Sequence, residues 1–278
     1  MIKKTKLQLF FAKLIPHRLW VQIAFLMVWL DPVGIRMHSF CAPVFHCYAC
    51  PLATFACPIG VIAQFTALHL IPFIAIGTLI TAGALLGSLI CGWICPFGLL
   101  QDLASKIPTP RLKIPRWMGY FRYVILVGAV IVIPFLFGES HPLFICKICP
   151  AGFFEKAVPD MTSAAIADNP IPWPNIIKMV IGGVFLVAVL FTNRPWCRIL
   201  CPLGAIFGFF NRFSILSMKL DDHHCTQCGR CRTICSYGVK PDKSPNSDSC
   251  LRCMECTKCG PAALQAATIF DKPANPEN

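Results

Sequence analysis

Cys91-Gly-Trp-Ile-Cys95-Pro-Phe-Gly98 closes one long apolar stretch of the chain, and Cys197-Arg-Ile-Leu-Cys201-Pro-Leu-Gly204 closes another. Two further pairs lie between apolar stretches: Cys47-Tyr-Ala-Cys50-Pro51 and Cys146-Lys-Ile-Cys149-Pro150. The order C-x2-C-P, apolar stretch, C-x3-C-P-x-G therefore occurs twice. We read it as a duplication of two helices each, related by a pseudo-twofold axis along a membrane normal, an arrangement that membrane proteins use. A buried cysteine packs well as a small apolar residue, and Pro-Gly after a helix is an ordinary stop. Those reasons account for one pair. Four pairs, each followed directly by proline, point to metal ligation.

The apolar stretches are residues 20–30 with their flanks, 61–90, 120–137 and 176–191. A spanning helix needs roughly 20 residues. The third and fourth fit with a little flank, and the first borrows residues from about Leu14 onward. The second is too long for one span. Pro72 divides it into a short interfacial or re-entrant helix over 59–70 and a span over 73–92. No small-residue cleavage site follows Leu30, so the first stretch reads as a retained helix rather than a signal peptide. The expected fold is an all-α membrane bundle of four transmembrane helices over 1–215, a small C-terminal α+β two-cluster ferredoxin-like domain over 216–270, and a tail over 271–278.

Composition agrees. The 278 residues are 56% apolar and 14% charged, against about 25% charged in a soluble domain, and the mean hydropathy is +0.63. A soluble enzyme, a disordered chain, a collagen and a coiled coil are excluded. The 18 cysteines fall mostly in tight C-x2-C and C-x3-C groups, which is not the pattern of an extracellular disulfide framework.

Charge supplies an orientation. Residues 1–20, 102–122 and 194–219 are strongly basic, whereas 31–57 is neutral and 139–175 is acidic. Excess Lys and Arg mark cytoplasmic loops, and the three basic segments fall on one side of a four-span chain. Both termini are then cytoplasmic, in an inner (cytoplasmic) membrane protein of multi-pass type. The net charge of +12 reads as topology, with no support for a nucleic-acid partner.

The tail carries the most specific signal. Cys225-Thr-Gln-Cys228-Gly-Arg-Cys231-Arg-Thr-Ile-Cys235 is followed by Cys250-Leu-Arg-Cys253-Met-Glu-Cys256-Thr-Lys-Cys259. In a C-x2-C-x2-C-x3-C run, three thiolates hold one [4Fe–4S] cube and the fourth reaches the other. Cluster one is assigned to Cys225, Cys228, Cys231 and Cys259, and cluster two to Cys250, Cys253, Cys256 and Cys235. Ser236 replaces the usual proline, and the second run ends one residue short. Paired zinc sites also use C-x2-C, but eight cysteines in two runs of four favour iron–sulfur.

One or two further [4Fe–4S] clusters are expected in the membrane domain. The charge-derived topology layers the motifs: Cys91, Cys95, Cys197 and Cys201 on the inner side, Cys47, Cys50, Cys146 and Cys149 on the outer. Two alternatives stand beside it. One groups each repeat's own four cysteines, and the other makes the outer pairs disulfides. Cys41 and Cys57 are expected to form a disulfide, with exchange into the outer cluster as the alternative. Trp93 and Trp196 are read as interfacial anchors. His38, His46, His69 and His141 are the available ring donors near the expected interfaces, each read as a hydrogen-bonded histidine rather than a ligand.

The paired motifs CGWICPFG and CRILCPLGA, with the two-cluster tail, resemble the NapH family of membrane-bound ferredoxin-type quinol dehydrogenases and the related NosR and PceC types of membrane polyferredoxin. The outer C-x2-C-P pairs depart from the nitrate-reductase members. The resemblance implies four spans, exchange with quinone or quinol, and partners among the other redox subunits of a membrane complex in the lipid bilayer. The expected role is an electron relay, a conduit rather than a site of bond chemistry. Two alternatives are an assembly or regulatory protein supporting another metalloenzyme, and a transmembrane thiol–disulfide conduit. No nucleotide loop, zincin motif or nucleophile elbow is present.

Overall fold

The computed structural model describes residues 6–30, 57–110, 112, 114–154, 161, 164–165, 173, 176–221, 224–259 and 263–269. These are mostly helical, with one two-stranded sheet. At the N-terminal end, Lys6–Leu14 and Arg18–Leu30 are joined through a 3-10 segment, Ile15–His17, into one continuous helical run. Pro58–Ala67 and Phe73–Leu86 follow, separated at Pro72 as the sequence predicts. The stretch expected as one span over 73–92 is broken. Gly87 takes φ +55°, a left-handed conformation suited to glycine. A new short helix, Leu89–Trp93, then starts beyond Ser88, whose N–H donates to Asn211 Oδ1 (3.0 Å).

Among the described residues, two helices are long and apolar enough to cross a membrane, Gln8–Leu26 and Trp117–Phe137, whereas Pro58–Ala67, Phe73–Leu86 and Ile176–Phe191 are apolar but shorter. Within Trp117–Phe137 the turn Gly128–Val132 is π-helical. Pro134 lies just beyond it and has no N–H for the usual bond to residue 130, which loosens the ladder there. The outward side chains of these helices are apolar, among them Phe73, Ile74, Val124, Leu136, Val180 and Val184. Apolar surface on this scale is covered by lipid or by a partner.

Leu216–Leu220 pairs antiparallel with Leu264–Thr268, with Leu216 opposite Thr268 and Leu220 opposite Leu264. The short helix Arg230–Ile234 and the turn Glu255–Lys258 lie between these strands in the chain. This ferredoxin-like unit is locked onto the helices. Phe11 of the first helix and Ile15 just after it share a core with Leu216, Leu264, Ala266 and Trp93. Asn211 Nδ2 donates to the carbonyls of Ser247 (3.0 Å) and Cys250 (2.8 Å). Ser88 Oγ donates to Cys250 O (2.6 Å), and Arg122, itself 2% exposed, pairs with Asp248. Trp93 and Trp196 are not interfacial anchors. Both are buried, and Trp93 donates its indole N–H to Arg252 O (3.1 Å). A rigid ring fills the space between helices and tail, a use that proximity to a helix end does not reveal.

Candidate metal centres

Among the described residues, four cysteines immediately precede helices whose first residue is proline: Cys57 before Pro58–Ala67, Cys95 before Pro96–Ala104, Cys149 before Pro150–Gly152 and Cys201 before Pro202–Phe210. Proline suits a first helical position because the N–H it lacks has no intrahelical acceptor there. The backbone turns identically at two of them. The Cys95 N–H donates to Ile90 O (3.0 Å) and the Cys201 N–H to Trp196 O (2.9 Å). A Cβ on Gly98 would lie 3.1 Å from Cys91 O, and one on Gly204 would lie 2.7 Å from Cys197 O. Each glycine lets the new helix close back over the first cysteine of its motif.

The structure gathers Cys91, Cys95, Cys197 and Cys201 into one group whose thiols feel one another's charge. Gln101, fully buried, donates from Nε2 to Cys197 Sγ (3.2 Å) and to Phe97 O (3.2 Å). The Gly204 N–H donates to Cys201 Sγ (3.5 Å). Nothing in the sequence motif marks Gln101, which follows Cys95 by six residues on the face of the helix that turns inward.

A second group holds Cys146, Cys149 and Cys57. A Cβ on Gly60 would stand 3.4 Å from Cys57 Sγ and 3.6 Å from Cys146 Sγ. Cys41, Cys47 and Cys50, and with them the expected Cys41–Cys57 disulfide, lie outside the described residues. The place of Cys57 was available in the sequence: Cys57-Pro-Ile-Gly60 and Cys149-Pro-Ala-Gly152 repeat the C-P-x-G of the other two motifs. His69 lies edge-on to Phe135 (4.7 Å), and His141 packs on Phe137 (4.9 Å) while accepting from the Leu143 N–H (3.2 Å). His38 and His46 lie outside the described residues.

In the tail, Cys225, Cys228, Cys231 and Cys259 line one cavity of about 370 Å³. Cys235, Cys250, Cys253 and Cys256 line a second, together with Tyr237 and Leu251. The two C-x2-C loops share one backbone path. Gln227 (φ 51°) and Gly229 (φ 70°) flank Cys228 as Arg252 (φ 47°) and Met254 (φ 63°) flank Cys253. Left-handed turns of this kind aim successive N–H groups at an anionic centre. The Arg230 N–H bonds Cys228, and the Glu255 N–H bonds Cys253.

The two tail sets and the Cys91 set each bring four thiols, the number a [4Fe–4S] cluster takes, and the outer group brings three among the described residues. Burial pushes the Cys253 thiol up to about 12 and raises Cys250 and Cys256 as well. Cluster iron would displace those protons and supply the missing positive charge. Cys228 is exposed, and the Arg230 N–H and Thr226 hydroxyl hold its thiol below the ordinary value. Among the described residues no group of three or more His, Cys, Asp or Glu is placed to hold a single metal ion, whereas a cube spreads its thiolates over four irons.

The sets are joined by shared packing. Cys231, Cys259 and Cys256 lie in one apolar core. Cys91 lies in another, together with Cys235, Cys250 and Cys253. Cys95, Cys201 and Cys149 border a third, around Phe97, Phe185 and Trp196.

Residues 67–115 and 174–221 each match a family described as a 4Fe-4S binding domain, and each match holds one C-x3-C-P motif. The chain is 25% identical to the "Putative electron transport protein YccM" of Escherichia coli, over 77% of this chain and 60% of YccM. It is 30% identical to the regulatory protein NosR of Stutzerimonas stutzeri, over 60% of this chain and 22% of NosR. It is also 30% identical to the methylamine utilization ferredoxin-type protein MauN of Methylorubrum extorquens, over 66% of this chain and 57% of MauN. The chain thus spans less than two thirds of each of these relatives. No solved structure matches. The matches support a ferredoxin-type iron–sulfur class for this chain.

Proposed function

We propose that the chain is a membrane-embedded iron–sulfur relay that passes single electrons through four cysteine sets. The observation that carries this reading is the common core of Cys91 with Cys235, Cys250 and Cys253, in which a helical-domain set and a tail set touch. In order, the sites take Cys225, Cys228, Cys231 and Cys259; then Cys235, Cys250, Cys253 and Cys256; then Cys91, Cys95, Cys197 and Cys201. The outermost takes Cys146, Cys149 and Cys57, with its fourth thiolate from Cys47 or Cys50. The tail site with exposed Cys228 faces a cytoplasmic redox partner. The far end exchanges electrons with quinol or an outer-face subunit, as in the NapH-like reading. Apolar outer helix faces support the bilayer setting, and the three basic segments support cytoplasmic termini.

Iron and acid-labile sulfide, measured on protein purified without oxygen, test the reading. About sixteen of each per chain are expected for four cubes. About eight would confine the clusters to the tail and end the relay. The similarity to a protein described as regulatory favours one second reading, support of another metalloenzyme. That reading requires respiratory electron flow to continue in cells lacking this chain.

A further inference from the structure

Two buried arginines stand between the set at Cys91 and the set at Cys253. Arg194 is 1% exposed and holds a left-handed backbone, φ 49°, a conformation uncommon for a non-glycine residue. Its Nη1 donates to Cys91 O (2.6 Å), while Nε (2.7 Å) and Nη2 (2.5 Å) grip the two oxygens of Asp102. Arg18 binds the same carboxylate through Nη2. Its Nε donates to Gly92 O (3.2 Å), within the Cys91–Cys95 loop, and its Nη1 to Glu255 Oε1 (3.4 Å), within the Cys253–Cys256 loop. Tyr237 lies beside both: its ring is 5.8 Å from the Arg194 guanidinium, and its hydroxyl accepts from Arg18 Nη2 (3.4 Å).

A clamp between helices and tail needs hydrogen bonds, and neutral side chains supply those. The two guanidiniums on Asp102 add a surplus positive charge in a low-dielectric place, since the remaining carboxylate, Glu255, is more than a third exposed. Buried charge is costly unless an opposite charge lies near. Four thiolates around a cube are such a charge, and each arginine has one set at hand: Arg194 interacts with Cys91 and Cys197, and Arg18 with Cys253.

We infer that Arg194 raises the reduction potential of the site formed by Cys91, Cys95, Cys197 and Cys201, that Arg18 raises that of the site formed by Cys235, Cys250, Cys253 and Cys256, and that Asp102, bonded to both, lowers each. The inference rests on the four-site reading above. Its physical basis is that reduction adds one negative charge to a site, which a fixed neighbouring cation favours. When an electron passes between these sites, one is oxidised and the other reduced by one electron. No bond forms or breaks, and both guanidiniums keep their protons. Arg18 and Arg194 are positioning residues in this sense.

The experiment is a redox titration of the anaerobically purified full chain, followed by electron paramagnetic resonance. Signals are assigned by their loss in Cys197→Ser and Cys253→Ser. Arg194→Gln is expected to lower the midpoint of the Cys197 signal more than that of the Cys253 signal, and Arg18→Gln to do the reverse. Asp102→Asn is expected to raise both. Arg194→Lys, which keeps the charge without the bidentate grip, is expected to recover most of the Arg194→Gln shift. If a glutamine variant loses iron, the Arg194→Lys and Asp102→Asn midpoints decide. A wild-type content of about sixteen irons with unmoved midpoints overturns the tuning alone. A content of about eight overturns the four-site reading, and the Arg194 arm with it.

Discussion

The carbonyl oxygen of Leu251 sits 2.3 Å from where a Cβ on Gly92 would stand, so the loop carrying Cys250 and Cys253 meets the helix carrying Cys91 backbone to backbone. Gly208 makes the same allowance for Asp248 O at 2.4 Å. Gly92→Ala must push a rigid carbonyl away, because no flexible side chain is there to yield. We expect it to cost at the upper end of the roughly 1–3 kcal/mol typical of overpacking, as a lowered Tm. Iron at the tail sites should persist while the magnetic interaction between the Cys91 and Cys253 sites weakens. An unchanged Tm and interaction would show that the close contact is dispensable.

Gln101→Leu separates electronic from structural effects. The amide donates to Cys197 Sγ (3.2 Å), yet its Oε1 is buried without a partner. Leucine removes that orphan oxygen along with the N–H···S bond, so stability should change little. Losing a hydrogen bond to a ligand sulfur lowers a cluster's potential. The expected result is full iron content with a lower midpoint for the Cys197 site, read by the same titration.

Asp102 sets a pH dependence. Burial works to raise its pKa, and the hydrogen bond and charge of Arg194, then the charge of Arg18, outweigh it, so the carboxyl is held below its ordinary value. Stabilisation from such a depressed acid is complete above the unfolded pKa, about 3.9, and is lost as pH falls through the folded value. Leaving the buried arginines short of their carboxylate costs about 3–5 kcal/mol. The Tm difference between the wild type and Asp102→Asn should therefore be large and flat from about pH 5 to 8, narrowing only below about pH 4. A difference that declines steadily between pH 8 and 5 would contradict this.

Iron removal should expose the cysteines in a fixed order. Cys228 is exposed with a lowered thiol pKa, while Cys250 and Cys253 are more enclosed with raised ones. Alkylation follows thiolate fraction and access. After chelation in native detergent, Cys228 should be labelled first among the tail cysteines and the buried Cys256, its thiol pKa also raised, last, with Cys250 and Cys253 between, as read by mass spectrometry of timed quenches. The loop around Cys250 keeps its bonds to Asn211 and Ser88 without needing metal.

Local features were legible in the sequence where the cause is local. The break at Pro72, the long apolar helix ending at Phe137 and the tail's paired loops all follow from spacing and residue type. Features made by distant partners were not. Arg18, Arg122 and Arg194 read as loop charges that orient the chain, yet each is buried on a carboxylate far away in sequence. Trp93 stood at a helix end and looked like an anchor because its acceptor, Arg252 O, belongs to another part of the chain. Cys57 reads first as a disulfide partner of Cys41, with a place in the outer cluster as the alternative, and its Pro-x-Gly continuation, shared with Cys95, Cys149 and Cys201, is the sequence signal that favours the second.

The packing of Phe11 and Ile15 against Leu264 and Ala266 also bears on how the molecule is built. These residues are far apart in the chain, so the ribosome must deliver nearly everything between them before the contact closes. Contacts of such high sequence separation form late. Until they do, the sheet lacks its cover and the N-terminal helix lacks its seat, leaving an interval in which Cys256 and Cys259, which share that core, are still open to solvent.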